Sequence, residues 1–383
     1  MRVLLVTPSY VLPQIIPGLL NHDLEYTAVV VDEPAPIREF VTKTGGYADI
    51  VFPFHDLKEC IENCEYDYIF AVSETNTVEI FPNKLRKYGA PLNKTVHFYL
   101  TNDGNNSHII KRALTYFKKN SKDFDMIATG MSYTSFGLDS DRFKGSLFNF
   151  AKASQDLYYD YQIAKFAVDV NRGRKIRYAL IGLAPYSFHF DLSKTIKENW
   201  RLIHYCVALN DMHNFHMPSE KCRKFFQKSF FDAELPLEQV DLNNVNADKI
   251  KMDTMNLRKR LDLRDRAEAW SDKSKNFVET RDENIKILDD YLTLCKKNNI
   301  RPIIFLPPMS EGYMKHFSRE KLDEFYHIIS AATDKFSDAI FVDGWKISEF
   351  ADGDFCDADH LNLLGAAKFS SVLNMVIEQN DNF

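Results

Sequence analysis

A serine, a histidine and an aspartate can together make an oxygen nucleophile, and this chain offers one arrangement in which the three could meet. Near the C-terminus the stretch FCDADHLNLLGAAKFS, residues 355–370, sets Asp357 and His360 three positions apart, directly before an apolar run. A serine hydroxyl is a poor nucleophile until a neighbouring imidazole removes its proton. The imidazole needs a carboxylate to fix its tautomer and stabilise its cation. Holding acid and base on one turn leaves the pair little freedom, so aligning them costs little entropy. Asp354 and Asp359 are rivals for the carboxylate role, and the spacing favours Asp357.

The serine comes from far away in sequence. In DMIATGMSYTSFGLD, residues 125–139, a strand is expected to end at Thr129, followed by Gly130, Met131 and Ser132. Gly130 permits a tight turn that other residues resist. Ser132 then leaves the strand at the carboxyl edge of a sheet. The aspartate and histidine follow the last strand, beyond the same edge, so a parallel sheet would bring residues 132 and 360 together.

The elements that must do this read as two α/β cycles. Strands are expected at Val3–Val6, Thr27–Val31, Asp49–Phe52, Tyr68–Val72 and Thr95–Leu100, with helices such as Ile37–Lys43 and Leu57–Asn63 between them. Such alternation predicts a parallel sheet covered by helices. No GxGxxG follows the first strand; Thr7-Pro8-Ser9-Tyr10 stands there. The other strand ends carry Asp32-Glu33, Ser73-Glu74-Thr75-Asn76 and Thr101-Asn102-Asp103-Gly104, where a Rossmann-like sheet would take a nucleotide or sugar. A scaffold or docking role fits this first domain better.

A basic helix over 109–121 leads into the second cycle, with strands at Met126–Ala128, Leu147–Phe150, Tyr178–Ile181, Pro302–Leu306 and Ala339–Val342. Helices are expected at Gln155–Val168, Asp282–Lys297, Lys321–Phe336 and Leu363–Ile377, the last on a helical stripe of apolar residues. The fold class is therefore α/β, with two three-layer parallel-sheet domains, residues 1–120 and 121–383. A stretch of about 188–275, rich in Asn, Asp, Lys and Phe and without a clear strand, reads as a helical insertion in the second domain, suited to a lid or an oligomer contact.

Composition narrows the classes. The 383 residues exceed what one core usually serves. A net charge of −6 argues against a nucleic-acid binder, which usually shows a basic face. The opening MRVLLVTPSY reads as a strand rather than a signal peptide, and no stretch approaches the ~20 apolar residues of a membrane span. The expected location is cytoplasmic. Cysteines at 60, 64, 206, 222, 295 and 356 include no second pair at zinc-ligand spacing, so reduced thiols and no metal are expected. The histidines of HNFH, 213–216, read as part of a polar loop.

Gly-x-Ser after a first strand, with Asp-x-x-His before the last helix, resembles the SGNH/GDSL hydrolase superfamily. The similarity is closest to the divergent D-alanyl-transfer proteins and polysaccharide O-acetyltransferases of bacterial envelopes. It covers about residues 123–380 and includes LFNFAKASQDLYYDYQIAKF (147–166), RYALIGLAPYSFHFDLS (177–193) and IRPIIFLPPMSEGYMKHF (300–317). The Asp-x-x-His-Leu-Asn-x-x-Gly stretch at 357–365 is its most specific part. The resemblance implies Ser132 as nucleophile, His360 as general base and Asp357 as its orienting partner. It also implies esterase or O-acyltransferase chemistry on a carbohydrate or glycoconjugate, with no required cofactor and an unidentified acyl donor.

Two departures from the family stand out. Its usual oxyanion donors are a glycine after the second strand and an asparagine after the third. Here those positions read Ala153-Ser154-Gln155 and Gly182-Leu183-Ala184-Pro185-Tyr186. Ser154 also reads as the cap of a helix beginning near Gln155. Gly130, Met131, Ser154, Gln155 and Tyr186 are the candidates for oxyanion or substrate contacts, while Tyr186, His189 and Tyr313 are aromatic candidates for the pocket wall and Pro307-Pro308 for its rim. Two other functions remain open. One is a non-catalytic glycan-binding module that docks a glycosylation-pathway protein. The other is a nucleotide-sugar-dependent transferase centred on the first domain.

Overall fold

The computed structural model describes residues 1–21, 24–73, 85–99, 109–171, 176–195, 198–215, 220, 224–225, 277–315 and 317–381. It forms two units. One comprises Met1–Lys111 with Leu192–Gln239, the other Arg112–Asp191 with Val240–Phe383. Each is built on a five-stranded sheet paired throughout in parallel.

In the first unit β1 (Arg2–Val6), β2 (Glu25–Val31), β3 (Val51–Pro53), β4 (Tyr68–Ser73) and β5 (Thr95–Tyr99) lie in the order β3-β2-β1-β4-β5. Helices α1 (Leu12–Asn21), α2 (Pro34–Lys43) and α3 (Leu57–Asn63) connect them. Every residue of β4 is buried, the continuous apolar run that a sheet covered on both faces requires. Leu4, Val6, Ala28, Val30 and Ile69 pack into one core. At the carboxyl edge Asp32 is already engaged: its Oδ1 accepts the Ser9 N–H at 2.7 Å and the Glu33 N–H at 3.0 Å. The predicted strand end at Ser73 is described; the polar residues at 74–76 and 101–104 lie outside the described residues.

Helix α4 (Ile109–Asn120) precedes the second sheet. Strands β6 (Met126–Gly130), β7 (Leu147–Asn149), β8 (Tyr178–Gly182), β9 (Arg301–Leu306) and β10 (Ile340–Asp343) take the order β10-β9-β8-β6-β7. Among the helices are α5 (Ser132–Gly137), α6 (Leu157–Val170), α7 (Leu202–Leu209, which belongs to the first unit), α8 (Arg281–Lys297), α9 (Arg319–Lys335) and α10 (Leu363–Gln379). Leu180, Ile303 and Phe305 of the sheet pack with Phe369 and Leu373 of α10. After β7 the chain returns to the other side of β6, so the strand order reverses between β6 and β8. The crevice beyond the carboxyl ends at such a reversal is where open α/β sheets bind ligands.

The insertion differs from the sequence reading in part. That reading assigns all of 188–275 to the second domain. The described residues from Leu192 onward group with the first unit instead. Phe215 packs 6.2 Å from Tyr68, and Phe225 stacks at 5.9 Å on Phe70, both rings of β4. Burying large aromatic rings on this strand gives the segment its place. Residues 226–276, and with them most of the expected lid, lie outside the described residues.

Candidate active site

The carboxyl ends of β6 and β8 approach each other at two glycines that nothing else could replace. Gly130 sits at φ +141°, a conformation L side chains rarely adopt. A Cβ there would stand 2.4 Å from Thr134 Oγ1 and 2.6 Å from the Gly182 carbonyl oxygen; one on Gly182 would meet Thr134 Oγ1 at 1.8 Å. This contact lets the chain turn sharply out of β6 and present Ser132 as the first residue of α5. Gly130→Ala is expected to destabilise the protein by about 3 kcal/mol, through backbone strain plus overpacking, read as a lower denaturation midpoint.

His360 reaches the same place from the loop before α10. A single antiparallel bridge, Phe355 to Leu361, closes that loop. Inside it Asp357 Oδ1 accepts the Asp359 N–H at 3.1 Å and the His360 N–H at 2.8 Å. One carboxylate thus folds the turn and faces the ring. Asn362 then caps α10 by accepting the Gly365 N–H at 3.0 Å. Gly365 is needed because a Cβ would come within 2.2 Å of the Asp354 carbonyl oxygen. Each residue of this motif has a mechanical task. Asn362→Ala should cost about 1 kcal/mol of stability in chemical denaturation.

Ser132 Oγ and His360 Nε2 are 2.8 Å apart. On the other side of the ring, His360 Nδ1 lies 3.0 and 3.1 Å from the two oxygens of Asp357. The structure therefore brings together the three residues that the sequence proposes for the triad. It also brings a fourth. Asp359 Oδ1 is 3.1 Å from the same Nδ1. The Tyr133 hydroxyl donates to Asp359 Oδ2 at 3.2 Å and lies 2.7 Å from the Tyr186 hydroxyl. The imidazole ring is flanked by Tyr133 and Phe136, with centroids 5.1 and 5.4 Å away.

This surrounding sets the charge of His360. Burial pushes the imidazole pKa down, but the charge of Asp359 and the hydrogen bond to Asp357 outweigh it, and the value rises to about 10. Asp357, Asp359 and His360 are also the groups in the second unit that offer cation-ligand atoms within 4.8 Å of one another among the described residues. Their hydrogen bonds already join them to Ser132 and Tyr133, the arrangement a proton relay needs.

The other candidate residues divide by what their polar atoms already bind. The Ser132 amide opens a helix and has no intrahelical acceptor, so it can face a developing oxyanion. The Met131 carbonyl is used by the amides of Thr134 and Ser135. The Gly130 carbonyl accepts the Lys152 N–H at 3.1 Å. Gln155 is fully buried, with its Nε2 2.7 Å from Asp160 Oδ1, so it supports the site from behind rather than lining it. Tyr186 is buried beneath Tyr133. Its neighbour His189 lies away from the triad, with Nε2 hydrogen-bonded to Glu324 at 2.7 Å. Tyr313 is buried and packs on Phe317.

Ser154 is not the helix cap. That role falls to Asp156, whose carboxylate accepts the Tyr159 N–H at 3.0 Å. Ser154 instead holds φ +57°, a left-handed backbone more usual for glycine or asparagine. Such a conformation costs a non-glycine residue about 1 kcal/mol and clusters at active sites and ligand clamps. Sequence reasoning also missed Asn149, which ends β7, accepts the Ala151 N–H at 3.0 Å and donates to the Thr134 carbonyl at 3.2 Å. A polar residue inside the apolar run LFNF was its signal.

No protein-family model matches this chain, and no curated protein matches it. The functional reading therefore rests on the geometry of the site.

Proposed function

We propose that the second unit is a serine-dependent esterase or O-acyltransferase that works through an acyl-serine. The observation that carries this reading is the continuous relay from Ser132 Oγ through His360 to Asp357, with contacts of 2.8 and 3.0 Å. Its position beyond β6 and β8, where the strand order reverses, supports it. In the first step neutral His360 takes the Ser132 proton at Nε2 as Oγ attacks the ester carbonyl. Asp357 holds the second ring proton at Nδ1 and stabilises the imidazolium. The imidazolium then gives its proton to the departing alcohol. In the second half, His360 deprotonates water or a sugar hydroxyl as its oxygen takes the acyl group, and the imidazolium returns the proton to the departing Ser132 Oγ.

The chain's resemblance to SGNH hydrolases of the envelope-polysaccharide type supports a carbohydrate or glycoconjugate as the alcohol component. In the same reading the first unit is Rossmann-like and serves as a scaffold or docking module for a glycosylation-pathway protein. Labelling with a fluorophosphonate, which reports an activated serine, tests the catalytic claim. Covalent modification of wild type at Ser132, followed by turnover of O-acylated sugars, is the expected result. A well-folded wild type that stays unlabelled would overturn it in favour of a glycan-binding module.

A further inference from the structure

Ser310 lies outside the triad, in the loop that leaves β9 at the carboxyl edge. It is 5% exposed, and its hydroxyl has two uses. As an acceptor it caps the single helical turn Glu311–Met314, taking the Tyr313 N–H at 3.3 Å. Capping needs only the oxygen. The hydroxyl proton goes elsewhere. Ser310 Oγ donates to the Ala358 carbonyl at 2.6 Å, and the Ser310 N–H donates to the same oxygen at 3.1 Å. Ala358 is itself buried. Two donors from one residue on one carbonyl define its direction, where a single hydrogen bond would leave a hinge.

The base of this contact is stiff. Pro307 and Pro308 fix the backbone φ between β9 and Ser310. The turn after β10 presses on them: a Cβ on Gly344 would come within 2.3 Å of the Leu306 carbonyl oxygen and 2.7 Å of Pro308. The peptide that Ser310 holds is the middle of the catalytic turn. A peptide unit is planar, so the Ala358 carbonyl and the Asp359 N–H rotate together. The Asp359 N–H donates to Asp357 Oδ1 at 3.1 Å, and the two oxygens of Asp357 lie 3.0 and 3.1 Å from His360 Nδ1. A chain of contacts thus runs from the end of β9 through one peptide plane to the Asp357 carboxylate and the imidazole. The turn's own hydrogen bonds fix its internal shape, while Ser310 ties it to the sheet whose β6 leads to Ser132.

We infer that Ser310 is a positioning residue for catalysis: by holding the Ala358–Asp359 peptide it sets the Asp357–His360 pair at the distance and angle that Ser132 needs. The inference rests on the acyl-serine reading above. It makes the hydroxyl proton, rather than the cap, the part that matters to rate, and substitutions can separate the two. Ser310→Ala removes both. Ser310→Gly removes the hydroxyl, yet glycine starts a helix nearly as well as serine. Ser310→Thr keeps both. Ser318→Ala removes an ordinary cap, because Ser318 Oγ accepts the Lys321 N–H at the start of α9.

The experiment is fluorophosphonate labelling of the full chain, with the rate of bond formation separated from probe affinity, alongside thermal melts and amide hydrogen exchange over 355–362. Ser310→Ala and Ser310→Gly are expected to slow bond formation by about 10- to 100-fold with probe affinity unchanged, because a small misplacement of a reacting group has costs of that order. The Asp359 N–H should exchange faster in both. Ser310→Thr should label at close to the wild-type rate. Ser318→Ala should melt earlier and still label at the wild-type rate. If Ser310→Ala fails to fold, Ser310→Gly carries the test. A folded Ser310→Gly labelled at the wild-type rate overturns the inference and leaves the acyl-serine reading intact, and so does a Ser310→Thr as slow as Ser310→Ala. An unlabelled wild type removes that reading, and unchanged exchange at Asp359 in Ser310→Gly would then overturn the clamp itself.

Discussion

Ser132→Ala is expected to abolish covalent labelling and to lower ester turnover by on the order of a million-fold, equivalent to about 8 kcal/mol of transition-state stabilisation. The size follows from the role. Without Oγ there is no acyl-enzyme, and His360 can only activate water for direct attack, at a geometry built for another nucleophile. The fold should be untouched, because the substitution removes a single hydrogen bond, to His360 Nε2. A melting temperature within a few degrees of wild type is thus part of the prediction. His360→Ala should be as slow, since effects within a triad are not additive, and the double variant should be no slower than either. Turnover of the same ester by Ser132→Ala at even a hundredth of the wild-type rate would exclude an acyl-serine route and point to a water-activating His360.

Much of this arrangement was legible in the sequence, for identifiable reasons. Parallel strands buried on both faces must be short apolar runs, and all ten observed strands fall within about two residues of such runs. Ser132 and His360 could be joined across a long sequence separation because a parallel sheet collects strand ends at one edge. Helix α1 was not legible. Its Pro13 sits in the first turn, where proline is tolerated, but Pro17 inside it argues locally against a helix; burial of Leu12, Ile15, Ile16 and Leu19 overrides it. The described part of the insertion from Leu192 groups with the first unit, because a sequence does not say which sheet a phenylalanine such as Phe225 will cover. Ser154 read as a cap by residue type, whereas the actual cap lies two residues further on, at Asp156. Asp160 was invisible for a deeper reason. In DLYYDYQIAKF it looks like any acidic residue on a helix, and only the third dimension reveals that it is buried with Gln155 Nε2 2.7 Å from its Oδ1.

The choice between carboxylates was resolved in an unforeseen way, and it leads to the second large expectation: Asp359→Asn should move the alkaline rise of activity toward neutral pH by about 1–3 units. Two carboxylates face one imidazole. Asp357 is the partner the relay needs, while Asp359 adds a second negative charge 3.1 Å from Nδ1. With its pKa raised to about 10, His360 is protonated in the resting protein at pH 7 and cannot accept the Ser132 proton. Acylation of wild type should therefore climb with pH and level off near 10. Removing the Asp359 charge lowers the pKa, so a larger fraction of His360 is a competent base at pH 7. The variant should then react faster there, by roughly tenfold for every pH unit that the His360 pKa falls. The sign of the stability effect is opposite. A group whose folded pKa lies above its ordinary value of 6.5 contributes stability that is complete below about 6.5 and lost as the pH rises through about 10. Wild type should thus lose stability relative to Asp359→Asn across that window, even as its activity increases. Parallel pH–rate profiles of the two proteins in the labelling assay would check the first half, and paired melts at pH 6 and pH 10 the second. A variant profile superimposed on that of wild type would show that Asp359 does not set the charge of His360, leaving Asp357 as the sole carboxylate of the relay.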